Sequence, residues 1–336
     1  MTLRPLSALA TVLTTVLVVG GAAVPADAAA DDPVVTGYAL PSTPSRVVAR
    51  DASGLDTVTV ASTSLRADGA SLTPVPRGAR RLLESAHRHD LRAELLVGNY
   101  SDRLEDFDPR ALHRMLSSAR SRRAVVRAVV AEVRARGWDG VNVDVERIRA
   151  EDAKGLVRLV SRLQTRLPDR ARVSIDVSAR TSLAAYRSAG YRLGALAAHV
   201  DLVQLMTYDQ HGPTWTGPGP IGALDWQRRA LETAAAHVPA ERLDVGVAGY
   251  GYTWPESGTG RSLTVAQARR WVERDGGDAT WEADAGEWTA TLSDGTVLWW
   301  SDARSLELRR GLAAELGLHG LAVWRLGSAD PLAAAP

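Results

Sequence analysis

The chain has no cysteine. That excludes disulfide staples, thiolate metal sites and cysteine nucleophiles, and leaves stability to a large core, which 336 residues can build. Lysine is nearly absent: Lys154 is the only one, so the basic side chains are arginines. Neither sign of charge is in excess. Lys and Arg number 40 against 39 Asp and Glu, a formal net charge of +1. Such a balance gives no reason to expect nucleic acid or an anionic membrane as a partner. No histidine cluster suggests a transition metal. There is no internal repeat and no long low-complexity linker. Past the N-terminus, no apolar run is long enough to span a bilayer.

The N-terminus does carry an apolar run, Leu6 to Val19, preceded by Arg4 and followed by Ala26-Asp27-Ala28. Gly20, Gly21 and Pro25 close it. The pattern predicts a cleaved secretory signal over residues 1–28 rather than a membrane anchor. Residues 29–33 then form a short tail, and residues 34–336 a single folded unit. The expectation is an exported monomer, secreted or held in the cell envelope, with no membrane contact after cleavage.

From residue 34 onward, β-branched apolar runs alternate with helical patterns. Runs at 34–38, 56–62, 93–98, 140–146, 172–178, 201–207, 243–248 and 320–324 read as strands, with helical patterns at 121–136, 153–166, 183–198, 226–236 and 306–316. In 121–136, Val125, Val126, Val129, Val130 and Val133 gather on one side and the arginines on the other, and Gly137 ends the helix. This alternation predicts parallel βα units, and eight of them fit an α/β fold, the closed (β/α)8 TIM barrel, whose active site lies at the C-terminal ends of its strands. Residues 255–300 break the rhythm. A helical stretch at 264–273 and the hairpin turn Ser293-Asp294-Gly295 predict a short insertion between strands seven and eight, walling a cleft.

The most informative stretch is 138–146. Val141, Val143 and Val145 alternate with Asn142, Asp144 and Glu146, so a strand here buries a valine row and aligns an amide and two carboxylates on its other face. Packing alone does not explain this, because burying close carboxylates is costly and drives at least one pKa upward. A raised acid beside a carboxylate is the acid/base arrangement of sugar-bond cleavage. Oxygen donors of this kind also suit Mg or Ca, but the reading adopted is no metal and no cofactor.

The residues Asp139-Gly140-Val141-Asn142-Val143-Asp144-Val145-Glu146 resemble the DGxDxDxE signature of glycoside hydrolase family 18, the chitinases and related N-acetylglucosaminidases. Three further segments agree in order: Gln204-Leu205-Met206-Thr207-Tyr208-Asp209, Gly246 to Trp254, and Gly320 to Gly327. The resemblance runs over about 34–331. Its Asn142 variant and the Trp299-Trp300-Ser301-Asp302 segment look most like the bacterial spore-germination, cortex-lytic branch, though no LysM repeat is visible. The family usually has aspartate where this chain has Asn142; the amide cannot accept a shared proton, but it retains a donor that could reach Asp144.

The resemblance implies substrate-assisted, retaining hydrolysis of a β-linked N-acetylglucosamine-containing polysaccharide, peptidoglycan-like or chitin-like. Glu146 would be the general acid. Asp144 would orient the acetamido group and stabilise the cyclised intermediate, and Tyr208 would donate to it. Asp209, Trp324, Asn142, Met206 and Tyr250 would bind substrate, with Trp324 as an apolar floor. Asp139 and Gly140 open the motif in a structural capacity. Trp215, Trp299 and Trp300 are candidates for outer subsites or for plain packing. The alternative function is a chitin- or peptidoglycan-binding lectin on the same barrel, with no catalysis.

Overall fold

The computed structural model describes residues 33–332. The expected signal over 1–28 and most of the tail lie outside the described residues.

Fifteen strands follow one another among the described residues: β1 (Val34–Ala39), β2 (Thr57–Ser64), β3 (Arg92–Gly98), β4 (Tyr100–Ser101), β5 (Asp106–Phe107), β6 (Gly140–Asp144), β7 (Arg172–Ser178), β8 (Leu202–Met206), β9 (Leu243–Ala248), β10 (Gly251–Trp254), β11 (Ser262–Leu263), β12 (Thr280–Glu282), β13 (Glu287–Thr291), β14 (Val297–Trp300) and β15 (Gly320–Trp324). Eight of them close a parallel barrel in the order β1-β2-β3-β6-β7-β8-β9-β15, with β15 returning to β1. The (β/α)8 barrel read from the sequence is therefore present.

Two different interiors result from strand alternation. The outward valines of β6, Val141 and Val143, with Val145 just beyond, are 0%, 2% and 2% exposed and join the main apolar layer between strands and helices. Inside the barrel the side chains are largely polar. Thr59, Glu94, Asn142, Ser174, Asp176, Gln204 and Asp244 are all buried there. Gly140 is required by this packing: a Cβ would sit 2.9 Å from Glu94 Oε1 and from the Arg172 carbonyl oxygen.

Helix Ala119–Arg136 takes its N-cap from Ser118, whose hydroxyl accepts from the Ser121 N–H, and stops at Gly137, where φ is 79°. The pattern at 183–198 is not one helix. It is broken into Leu183–Ser188 and Leu193–Ala197 by a turn at Gly190, where φ is 84° and a Cβ would lie 2.6 Å from Ile148 Cγ2. Periodicity continues across the break because both halves bury their apolar side on the same core.

The insertion begins earlier than residue 255. β10 belongs to it, in an antiparallel sheet of order β11-β10-β14-β13-β12. Gly295 carries a φ of 80° in the hairpin turn, and the Leu292 N–H donates to the Thr296 carbonyl at 2.9 Å. The sheet has its own core with helix Val265–Asp275, including Leu263, Val272, Leu298 and Trp300. Trp300 stacks on Trp288 there (6.2 Å, 11°), so it is a packing residue.

One buried cluster ties the insertion to the barrel. Glu287 accepts from the Ile221 N–H (2.7 Å) and the Gly222 N–H (3.0 Å). Arg309, from helix Ala303–Glu315, faces Glu287 at 3.4 Å, both side chains being 1% exposed. Its guanidinium also donates to the carbonyls of Gly222 (2.7 Å) and Ala285 (3.0 Å) and to Gln227 Oε1 (3.0 Å). These contacts fix the loop that follows β8.

Candidate active site

Asp144 ends β6, and Glu146 stands two residues past it at the C-terminal rim; both are half-buried. Burial pushes Asp144 up to about 7. Burial, then Asp144 and Asp209, push Glu146 up to about 8, with Arg147 easing it slightly. Among the described residues no arginine pairs with Glu146. Arg147 pairs with Asp106 at 2.6 Å and Arg149 with Glu151 at 3.4 Å. The rim acid is thus held largely uncharged near neutrality.

Asn99, 0% exposed in the segment after β3, positions that acid. Its Oδ1 accepts from the Glu146 N–H at 2.9 Å, and its Nδ2 donates to the Glu146 carbonyl at 3.1 Å and the Asp108 carbonyl at 3.3 Å. Arg147 then turns the chain with a φ of 57°.

Across the rim, β8 and β9 lead into Tyr208, Asp209 and Tyr250. Asp209 adopts a φ of 59° and accepts hydrogen bonds from Tyr250 OH and from Tyr252 OH, the latter at 2.8 Å. Protein crowds its carboxyl and raises its pKa, partly offset by the two hydroxyls, although solvent reaches it. Tyr208 is driven well above its ordinary pKa by burial and by Asp176, Asp144, Asp209 and Glu146, so it remains a neutral donor. Its ring meets Tyr250 edge-on at 6.3 Å.

Trp324, at the end of β15, joins two aromatic groups. It lies 5.5 Å from Tyr38 and packs with Tyr208, Tyr250, Tyr252 and Trp299 around Ile221 and Ala248. The Trp324–Arg325 peptide bond is cis. Met206 is the half-buried last residue of β8. Trp215 is 52% exposed against Tyr252 at 5.9 Å, on the outer side of this aromatic wall. Asp139 is away from the rim, at the start of β6, where its Oδ2 accepts from the Ala93 N–H (3.0 Å) and contacts His87 Nε2 (2.8 Å).

Below Asp144 the structure departs from the sequence reading. The Asn142 amide does not turn to Asp144. Its Nδ2 faces Asp176 Oδ1 (2.9 Å), Gln204 Oε1 (2.9 Å), Ser174 Oγ (3.1 Å) and Tyr38 OH (3.3 Å). The reason is the surplus of acceptors in the barrel floor, which outcompete a single carboxylate above. Asn142 Oδ1 and Asp144 Oδ1 are left as buried acceptors without a donor among the described residues. Tyr38 OH lies 2.5 Å from Asp176 Oδ1 and also contacts Gln204 Oε1. One hydroxyl proton cannot serve both, and a proton on Asp176 resolves the conflict. Burial, then Asp144, push Asp176 well above the ordinary carboxylate range.

The sequence reading missed Tyr38, Asn99, Asp176 and Gln204 as site residues. Asp176 had a signal: Ser174, Asp176 and Ser178 alternate with Val173, Ile175 and Val177 as the polar and apolar residues of β6 do. Asn99 had none beyond its place in a polar loop.

A sequence model of glycosyl hydrolases family 18 matches residues 37–329, from β1 to the turn after β15. The chain belongs to that family. It is a glycoside hydrolase, and its substrate is a carbohydrate. The chain is 22% identical over 259 residues to YvbX, an uncharacterized glycosylase of Bacillus subtilis (strain 168), covering 73% of this chain and 74% of that one. It is 25% identical over 230 residues to the cortical fragment-lytic enzyme of the same organism, covering 65% of this chain and 53% of that protein, so it spans about half the length of that relative. A crystal structure of chitinase from Chromobacterium violaceum ATCC 12472 superposes with a TM-score of 0.80 at 24% identity, covering 89% of this chain and 96% of that one, a likeness of fold.

Proposed function

We propose that the chain is a retaining glycosidase cleaving β-linked N-acetylglucosamine-containing glycans, with the substrate's acetamido oxygen as nucleophile. The observation that carries this reading is the rim acid Glu146, free of ion pairs among the described residues and raised to about 8 by burial, Asp144 and Asp209. A carboxylic acid protonated near neutrality can donate to a glycosidic oxygen. Asp144 projects from the same strand face two residues away, on the acid's own side. An inverting base would have to hold a water on the opposite face of the sugar. In this reading the second carboxylate instead steadies the positive charge that develops as the acetamido group closes on the anomeric carbon. Tyr208 donates to that group, Asp209 and Tyr250 bind sugar hydroxyls, and Trp324 underlies the ring. Met206 and Asn142 complete the wall and floor.

Of the two glycan types, we favour peptidoglycan, in line with the cortical fragment-lytic relative. We also place the protein outside the membrane, on the reading of Leu6 to Val19 as an export signal. Mass spectrometry of protein from culture medium should find a chain starting just after Ala28; an intact residue 1–28 segment on all of the protein would contradict export by cleavage.

A thiazoline mimic of the cyclised intermediate tests the mechanism. It should compete with substrate and bind at least roughly a hundredfold more tightly than a substrate of equal size. No inhibition, together with cleavage of glycans lacking N-acetyl groups, would sink substrate assistance.

A further inference from the structure

Outside the barrel, between helix Ala119–Arg136 and helix Ala153–Gln164, lies a cleft of about 420 Å³. Arg122, Arg158, Arg162, Arg166 and His199 line it, and no carboxylate does. None of the site residues described above takes part in it.

Arg122 is the decisive residue. It is only 6% exposed, yet the one side-chain hydrogen bond it makes among the described residues runs from Nη1 to the Leu116 carbonyl. Burial, then Arg158, Arg162 and Arg123, lower its pKa. The other buried arginine shows how this fold satisfies such a group: Arg309 has Glu287 and several carbonyls around it. Among the described residues Arg122 has no such carboxylate. Its remaining N–H groups belong to the floor of an open cleft.

Arg158 and Arg162 lie one turn apart on helix Ala153–Gln164, a rise of about 6 Å, and Arg166 follows in the turn just past its end. Like charges at that spacing repel and weaken a helix. Several arginines elsewhere are neutralised by acids, as in Arg228–Glu315 and Arg229–Asp225. Among the described residues the cleft arginines are not.

We propose that this cleft binds a linear phosphodiester polymer of the polyol-phosphate kind, with Arg122 at its floor and Arg158, Arg162 and Arg166 along its length. Guanidinium forks match phosphate oxygens in pairs. Several cations lining one cleft suit an anion that repeats its charge along a chain. Single-stranded nucleic acid has the same backbone chemistry, but it gains much of its affinity from stacking on aromatic rings. The lining has no Trp, Tyr or Phe.

The test is binding of poly(glycerol phosphate) to the full chain, by calorimetry at several salt concentrations, with oligothymidylate of equal charge in parallel. Arg158→Gln/Arg162→Gln removes two cleft cations, one exposed and one half-buried, and spares Arg122, whose loss could disturb folding. Arg46→Gln/Arg88→Gln removes the same charge elsewhere. The proposal expects the cleft pair to weaken binding by roughly tenfold or more and to reduce the salt slope by about 1.4, at ~0.7 per phosphate contact. The control pair should do neither, and melting curves should show all variants folded. Absent binding, equal losses in both pairs, or tighter binding of oligothymidylate would overturn it. Since the readout is binding, failure here leaves the glycosidase reading untouched.

Discussion

Asn99 grips Glu146 by both ends of its backbone, accepting from its N–H at 2.9 Å and donating to its carbonyl at 3.1 Å. A general acid acts only when its proton lies close to the leaving oxygen, and small misplacements are expensive. The carboxyl itself is unanchored by any ion pair, so the backbone clamp is what aims it.

Asn99→Ala should therefore lower kcat by roughly 10- to 100-fold with a smaller change in KM. Asn99→Asp should fare worse. It cannot donate to the Glu146 carbonyl, and it adds a negative charge beside a group that already resists ionising. Steady-state kinetics on both variants, with circular dichroism to confirm folding, would check this. Full activity in Asn99→Ala would remove the clamp from the account.

The pH profile follows from two raised carboxyls. Asp144 lies at about 7 and Glu146 at about 8. The two interact, so their proton losses are best assigned to the pair. The active form carries one proton. kcat/KM for the free enzyme should rise as the first proton leaves near 7, and fall as the second leaves near 8, giving a narrow bell. A profile flat from pH 5 to 9 would contradict the assignment.

Asp176 should behave as a protonated floor residue. Asp176→Asn keeps a donor for the Tyr38 oxygen and an acceptor for Asn142 and should retain activity within a few-fold at neutral pH. Asp176→Ala leaves the buried Tyr38 and Asn142 without that partner, at a cost of about 1–3 kcal/mol. Its kcat should fall and its melting temperature drop. Indistinguishable behaviour of the two variants would show that the hydrogen bond is not what matters.

The insertion's anchor is open to a stability test. Arg309→Met leaves Glu287 buried without its cation, and breaking a buried pair from one side costs about 3–5 kcal/mol. Denaturant titration should show that loss, along with weaker glycan binding as the loop after β8 loosens. Arg309→Met/Glu287→Gln should recover part of it. No difference between the single and double variants would indicate that the pair is not coupled.

Much of this architecture was legible in the chain because it is local. Strand alternation in 138–146 separated the buried valines from the rim acids, and the alternation of β-branched runs with helical patterns placed the barrel strands. What stayed hidden depends on distant partners. Asn99 reaches Glu146 across 47 positions, Tyr38 reaches Asp176 across 138, and no local pattern marks either. The direction of the Asn142 amide was misjudged for the same reason, since its acceptors come from three other strands. The break at Gly190 was lost because two short helices sharing one apolar side mimic a single longer one.

The most direct measurement is product analysis by mass spectrometry, with wild type and Glu146→Gln each incubated with muropeptide-bearing peptidoglycan, spore cortex and chitin oligomers. Wild type should release fragments with N-acetylglucosamine-containing ends from at least one substrate, and Glu146→Gln should bind that substrate while releasing none. Equal release by both proteins would contradict Glu146 as the acid, and binding without release by wild type would contradict catalysis at this site.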